Sequence, residues 1–402
     1  MPVYLLATLD TKGREIDFVR SELSRCGYDS MIVDTGCLGE PAIPADVTRA
    51  EVFAAAGVDL AAVQQRQDRG EAVTQAALGA ANLIAAAFAR GQVEGVLGIG
   101  GSAGTTIATA AMRALPLGVP KVMVSTLASG QTRPYVRGKD VWMLNAVADI
   151  AGLNRISRTV LSAAARAMAG LLRFPAPALP QDDRPLIAAS MFGVTTPCVD
   201  RARQRLEAAG YEVLVFHATG NGGEALEGLV ADGLIAGVLD LTTTELADEL
   251  VGGTLSAGPT RLTAAGRLGV PQVISVGALD MVNFGPRATV PDRFRDRQFY
   301  QHNATVTLMR TTPAENRQLG EELGRKAAAA TKGPTAILLP LRGVSAIDAA
   351  GQPFDDPAAR RELFAGIRAT HGSVRLIERE AHINDADFAE TAADLLLEML
   401  RR

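Results

Sequence analysis

VEGVLGIGGSAGTTIATAAMRAL, Val93 to Leu115, is the stretch that decides the fold. An apolar run from Val93 to Ile99 enters a turn holding Gly98, Gly100, Gly101 and Gly104, and a helix of small residues leaves it. Strand, glycine turn and helix make the opening half of a βαβ unit. Such a turn gathers bare N–H groups at the positive end of a helix dipole, which suits a phosphate. The Lys-Ser/Thr ending of a Walker A loop is missing. Gly98, Gly100 and Ala103 satisfy the permissive G-x-G-x-x-G/A fingerprint, but the next strand (Val119 to Ser125) ends in Ser125-Thr126, without the acid that would hold a ribose. Close helix–sheet packing also selects glycine, yet four glycines in seven positions exceed that need. The turn predicts a phosphate-bearing ligand without naming it.

Outward from this turn, strand-like and helical segments alternate along the chain, which predicts parallel sheets built from βαβ units. Before the turn lie a strand at Val3 to Thr8, a helix from Arg14 to Cys26 and a strand at Ser30 to Asp34. After it come Val119 to Ser125, Trp142 to Val147 and a long Ala-rich helix. FPAPALPQDDRP, Phe174 to Pro185, breaks the pattern and reads as a linker. Strands then resume at Leu186, Glu212, Ile235, Gln272, Thr305, Ala336 and Val374. The fold class expected is α/β: two Rossmann-like three-layer αβα domains with mainly parallel sheets. Residues 1–178 form the nucleotide-binding domain; residues 179–402 form a second domain with a polar strand-end site.

A chain of 402 residues exceeds one ordinary core. A net charge of −4 gives no overall pull toward nucleic acid or membrane. Cys26, Cys37 and Cys198 are too few and too scattered for a disulfide framework or a zinc site. No signal peptide opens the chain, and the apolar helical stretches Ala76 to Ala89 and Val160 to Leu172 are short or carry Arg166. The expectation is a soluble cytoplasmic protein.

Ligands in open α/β sheets bind beyond the carboxyl ends of strands, so those positions hold the candidates. In the first half they are Thr8, Asp10, Thr11 and Lys12; Asp34 and Thr35; Gly100, Gly101, Ser102, Ala103, Gly104 and Thr105; and Ser125, Thr126, Ser129 and Gly130. In the second half the loop HATGNGG (His217 to Gly223) reads as a further anion cradle. His217, Asp240, Glu245, Asp280 and His382 are the catalytic candidates there, with Arg310 and Arg342 as anion contacts. Thr242 to Thr244 read equally well as a helix cap. No HxH or HExxH spacing supports a metal site.

LDTK (Leu9 to Lys12), GIGGSAGT (Gly98 to Thr105), STLASGQT (Ser125 to Thr132), VFHATGNGG (Val215 to Gly223), GVLDLTTTE (Gly237 to Glu245) and HINDADFA (His382 to Ala389) resemble the Tm-one-like ATP-binding domain family over essentially the whole chain. That family is named for a tomato protein that blocks replication of tomato mosaic virus. The resemblance implies ATP with Mg²⁺ on the LDTK, GIGGSAGT and STLASG segments, and a homodimer. Ala103 stands where the plant sequence has Gly. Plant and many bacterial members also carry a C-terminal barrel resembling phosphoenolpyruvate-hydrolysing enzymes, so a separate barrel-domain protein is an expected partner. The leading expectation is an ATP-binding protein acting on or sensing a small anionic metabolite. Two alternatives stand beside it: a non-catalytic regulatory or inhibitory module whose dimer ATP stabilises, and a sugar-phosphate or nucleotide kinase.

Overall fold

The structure, a computed structural model, describes residues 1–174 and 184–401. The chain divides into two compact units, Met1–Leu179 and Pro180–Arg402. Most of the expected linker, residues 175–183, lies outside the described residues.

The first unit is built on β1 (Val3–Ala7), β2 (Ser30–Asp34), β3 (Gly95–Gly100), β4 (Lys121–Ser125) and β5 (Trp142–Asn145). All five are parallel, in the order β2-β1-β3-β4-β5. Its helices are α1 (Leu9–Arg25), α2 (Arg49–Ala55), α3 (Leu60–Arg66), α4 (Arg69–Ala89), α5 (Ser102–Arg113), α6 (Arg133–Val136) and α7 (Arg155–Arg173). Alternation along β1 builds both faces of the sheet. Val3, Leu5 and Ala7 pack with α1 and α7, whereas Tyr4 and Leu6 pack with α2, α4 and α5.

Two helices start earlier than the pattern suggests. α1 begins at Leu9, so LDTK forms its first turn and is broken only at Lys12 (φ −127°, ψ 15°). α4 begins at Arg69 because Asp68 caps it through the Glu71 N–H. By length and composition α4 is, among the described residues, the one helix able to cross a membrane; Ala72, Ala76, Ala80, Ile84 and Ala87 pack it on the sheet.

The second unit contains β6 (Leu186–Met191), β7 (Glu212–His217), β8 (Gly237–Thr242), β9 (Gln272–Gly277), β10 (Met281–Phe284), β11 (Phe299–Asn303), β12 (Val306–Arg310), β13 (Thr335–Pro340) and β14 (Arg375–Arg379). Six form a parallel sheet, ordered β14-β13-β9-β8-β6-β7. Helices α8 (Thr196–Ala208), α9 (Asn221–Ala231), α10 (Glu245–Val251), α11 (Ala264–Leu268), α12 (Pro313–Ala328), α13 (Pro357–Thr370) and α14 (Ala386–Leu400) complete it. α8 and α14 pack on one face; α9 and α11, then α12 and α13, cover the other. Both units are therefore Rossmann-like αβα layers.

The run at Thr305 to Arg310 leaves the parallel pattern. As β12 it pairs antiparallel with β10 and β11 in a separate three-stranded sheet. β11 ends in exposed Gln301, His302 and Asn303, so no apolar alternation marks it in the sequence.

Candidate functional site

In the first unit the chain leaves β1 toward one edge of the sheet and β3 toward the other, so a crevice opens beyond their carboxyl ends. A cavity of about 290 Å³ lies there. Thr8, Asp10 and Thr11 line it from α1, Thr35 to Leu38 from the segment after β2, Arg69, Ala72 and Val73 from α4, and Ala103 and Ile107 from α5.

α5 begins at this crevice with Gly101 as its N-cap, which offers no side chain to its first turn. The Thr105 N–H reaches the Gly101 carbonyl at 2.8 Å. The N–H groups of Ser102, Ala103 and Gly104 precede the first intrahelical bond and have no side-chain cap. Four helices of the unit are capped by side chains, with Thr48, Asp59, Asp68 and Asn154 accepting from the first turn of α2, α3, α4 and α7, whereas α1 and α6, like α5, are not.

The glycines of the turn divide by cause. A Cβ on Gly98 would meet Ala108 at 2.5 Å, one on Gly100 would meet the Gly104 Cα at 2.8 Å, and one on Gly104 would meet the Ile99 carbonyl oxygen at 3.2 Å. Packing explains these three. Gly101 is different: its Cβ would find only Thr126 Oγ1, at 3.7 Å, and its φ of −83° suits any residue. Nothing in the fold demands glycine at position 101.

Thr8, Asp10, Thr11 and Ala103 line the cavity, whereas Gly101 and Thr126, which stand together, are outside its lining. Ser102 is exposed on the first turn of α5, and Lys12 is half-buried at the kink of α1. Thr105 turns inward instead. Fully buried, it shares a 2.7 Å hydrogen bond with Ser125 Oγ and ties α5 to β4. Ser129 and Gly130 sit on an exposed turn outside the cavity lining. Arg69 was missed by the sequence reading; Asp68 followed three residues later by Glu71 was the start signal that would have brought it to the crevice. Burial pushes the Cys37 thiol above its ordinary range.

The second unit consumes its own charges. HATGNGG does precede a helix, but its amides already hold an anion. Glu245 Oε1 accepts from the Gly220 N–H at 2.7 Å and the Gly223 N–H at 3.0 Å. Glu245 Oε2 accepts from Arg261 Nε at 2.6 Å, and Arg261 also grips both oxygens of Asp240, at 2.5 and 2.6 Å. Arg261, Asp240 and Glu245 are each about 1% exposed. A third acid, Glu227, accepts from the Leu262, Thr263 and Ala264 N–H groups and stands 3.5 Å from Arg261. Asp240 and Glu245 thus anchor Arg261 and meet no solvent.

Asp280 is fully buried, accepts from Ser345 Oγ at 2.8 Å, and has its pKa raised by burial and by Asp348. Arg310, also buried, donates to the carbonyls of Phe354 and Asp280 and to Asp348. His382 has both ring nitrogens engaged, Nε2 with the Ser345 carbonyl at 2.9 Å and Nδ1 with the Asn384 N–H at 3.1 Å. Arg342 is exposed, 3.7 Å from Glu380. Of the catalytic candidates, His217 alone is exposed; its ring lies 5.4 Å from that of Phe192.

With this geometry, comparison with known proteins is decisive for kinship. The N-terminal domain of the uncharacterised protein family UPF0261 matches residues 1–177, and the C-terminal domain of the same family matches residues 184–400. The chain belongs to the UPF0261 family. A UPF0261 protein of Clostridium tetani is 47% identical over 402 residues, spanning 100% of this chain and 99% of its own length. A family member from Mesorhizobium japonicum is 46% identical over 397 residues, with 98% of each chain covered. The ToMV susceptible protein tm-1(GCR26) of Solanum lycopersicum is 38% identical over 429 residues, across 99% of this chain but 55% of the tomato protein. The resemblance drawn from the quoted motifs is therefore met, and in tomato the UPF0261 pair of domains is part of a longer chain.

Proposed function

We propose that the first unit of this UPF0261 chain binds a phosphorylated small molecule, with ATP the leading ligand, and seats its phosphates on the N-terminus of α5. The observation that carries this reading is the open face of Gly101 above three uncapped amides. A partly buried helix terminus contributes up to about 2 kcal/mol toward an anion, and the amides add charge-assisted hydrogen bonds. Lys12 and Arg69 supply cations on neighbouring helix starts. The 290 Å³ cavity sits at the lower bound of ligand pockets, which run from about 300 to 1,000 Å³. It suits phosphates and a sugar, with a base resting on the rim.

Magnesium fits only as an ion carried by the phosphates. Among the described residues no three His, Cys, Asp or Glu side chains converge as ligands. Asp34 has both oxygens engaged, by the Leu9 and Gly36 N–H groups and by Arg49.

The buried state of Asp240, Glu245 and Asp280 favours the non-catalytic alternative over metabolite turnover. In that reading ATP stabilises a cytoplasmic homodimer that presents a surface to a partner, with a separate barrel-domain protein as one such partner. Calorimetry with Mg–ATP tests the site: the parent chain binds and Gly101→Val does not, while keeping its thermal unfolding profile. Unchanged affinity in that variant removes the turn from the site. Sedimentation with and without ATP tests the dimer, which should strengthen as nucleotide is added.

A further inference from the structure

The edge of a sheet carries a row of unpaired N–H and C=O groups, and proteins blunt it with charge, a bulge or a covering segment. Most edges of this chain are treated in that way. The Asp46–Val47 segment covers β2: the Ile32 carbonyl accepts from the Val47 N–H at 3.0 Å, and Asp46 Oδ2 accepts from the Ile32 N–H at 2.7 Å. β10 is buried along its whole length. The exposed residues of β7 are Glu212 and His217, those of β14 are Arg375 and Glu378, and β11 presents Gln301 to Asn303. β5 is the exception. It ends the first sheet with β4 as its one neighbour, and its sequence WMLN holds no charge. Its exposed residues are Asn145 and Trp142, the latter 57% exposed. Trp142 shares a cavity of about 480 Å³ with Leu171, Leu172 and Phe174, and Phe174 is itself 75% exposed. Val147, just past the strand, is 73% exposed.

Backbone geometry says what can cover this edge. The Ala146 N–H donates to the Ser125 carbonyl at 3.1 Å, on the β4 side. Alternate residues of a parallel ladder face each neighbour, so Trp142 and Leu144 also turn their backbone groups to β4. Met143 and Asn145 turn theirs outward. A second copy laid antiparallel here, with a twofold axis at Met143, exchanges both hydrogen bonds between the two Met143 residues. Trp142 of one chain then stands opposite Leu144 of the other, on one face of the sheet. Charge agrees with that direction. Arg137 precedes β5 and Asp149 follows it, and this register brings them opposite each other twice. A parallel copy would set like beside like. The nearer Asp140 is already paired with Lys121 at 2.7 Å. We infer that β5 is the surface through which two copies of this chain join, their five-stranded sheets continuing into each other. The contact is closed and uses up both exposed edges. It gives the homodimer reading above its interface, and it requires no nucleotide.

The chain has one tryptophan, so its emission reports on this edge. Sedimentation of the full chain, with and without Mg–ATP, should show a dimer. Dilution should shift the Trp142 emission to the red over the same concentrations at which the dimer dissociates. Trp142→Lys puts a guarding charge on the edge and should weaken the dimer by about thirtyfold or more, as loss of an interface hot spot does. Asp149→Arg should weaken it about threefold, and adding Arg137→Asp should restore it. A rescued pair cannot be explained by a failure to fold. Calorimetry with Mg–ATP on the Trp142→Lys chain keeps the phosphate reading separate, because none of these residues lines the 290 Å³ cleft. A dimer that Trp142→Lys leaves intact, or one that dissociates with no change in emission, overturns this interface and leaves the homodimer reading standing. A parent chain that stays monomeric with and without Mg–ATP overturns both.

Discussion

Two glycine-rich turns, GIGGSAGT after β3 and HATGNGG after β7, look alike in sequence and differ in what occupies them. At Gly223 the place of the missing Cβ lies 2.2 Å from Glu245 Oε2 and 2.6 Å from Arg261 Nε. The second turn was built around an anion, and the anion is the chain's own carboxylate. At Gly101, the N-cap of α5, the Cβ place is open, and the helix behind it has no side-chain cap. A glycine turn before a helix therefore does not by itself mark a site for an outside ligand, because the fold can fill it with a carboxylate of its own.

The largest effect expected from breaking this contrast is at Arg261. Its guanidinium is the shared partner of Asp240, Glu245 and Glu227. Arg261→Ala leaves carboxylates buried without their cation, a defect that typically costs about 3–5 kcal/mol. Urea unfolding of the C-terminal transition should show it. A loss below about 1 kcal/mol, the level of a surface pair, would mean that the backbone amides alone hold Glu245. Glu245→Ala sharpens the point, because deletion of the internal anion empties the HATGNGG cradle. Acetate should raise the melting temperature of that variant and leave the parent unmoved.

A smaller effect comes from charge that the second unit buries in excess. Arg310 and Arg360 face three carboxylates, Asp348, Asp355 and Asp280. Burial pushes Asp248 up to about 7, against hydrogen bonds from Asn283 and Leu255 that pull it down. Asp280 is raised in the same direction. The folded chain holds these protons more tightly than the unfolded one. Their stabilisation is fully present below about pH 4, the ordinary carboxylate value, and is lost as pH rises through about 7. Each group can contribute a slope of up to about 1.4 kcal/mol per pH unit in that window. Stability to urea should therefore be lower at pH 8 than at pH 5, and Asp248→Asn should flatten the dependence. Equal stability of the parent at both values would count against buried, proton-holding acids.

Hydrophobic period and punctuation made the two αβα units legible, and the seven strands read from Leu186 onward all exist. Local pattern could not show β12 leaving the parallel sheet, since antiparallel pairing with β10 and β11 is a long-range choice. The cleft was legible where its residues follow strands, as at Thr8, Asp10 and Gly101. Arg69 was not, because its place depends on how the segments after β2 fold back over the crevice. The same limit hid the role of Glu245. Polar residues at strand ends look equally functional in sequence, and only burial separates those that line an open cavity from those that pair with Arg261.

The smallest stability change expected is also the sharpest test of the comparison. Gly101→Asp would give the first turn what HATGNGG already has, a carboxylate of its own. The backbone there, φ −83° and ψ −154°, is extended as an N-cap requires, and the Cβ position is clear to 3.7 Å. An aspartate cap stabilises a helix by about 1 kcal/mol over a residue that cannot cap, and by less over glycine. A gain of up to about 2–4 °C in the melting transition of the first unit is the corresponding upper limit. Nucleotide affinity should vanish, because the new carboxylate takes the amides and repels phosphate. Stability and binding would then move in opposite directions at one residue. A variant that is stabilised and still binds Mg–ATP at parental affinity would show that the amides of α5 were never the phosphate site.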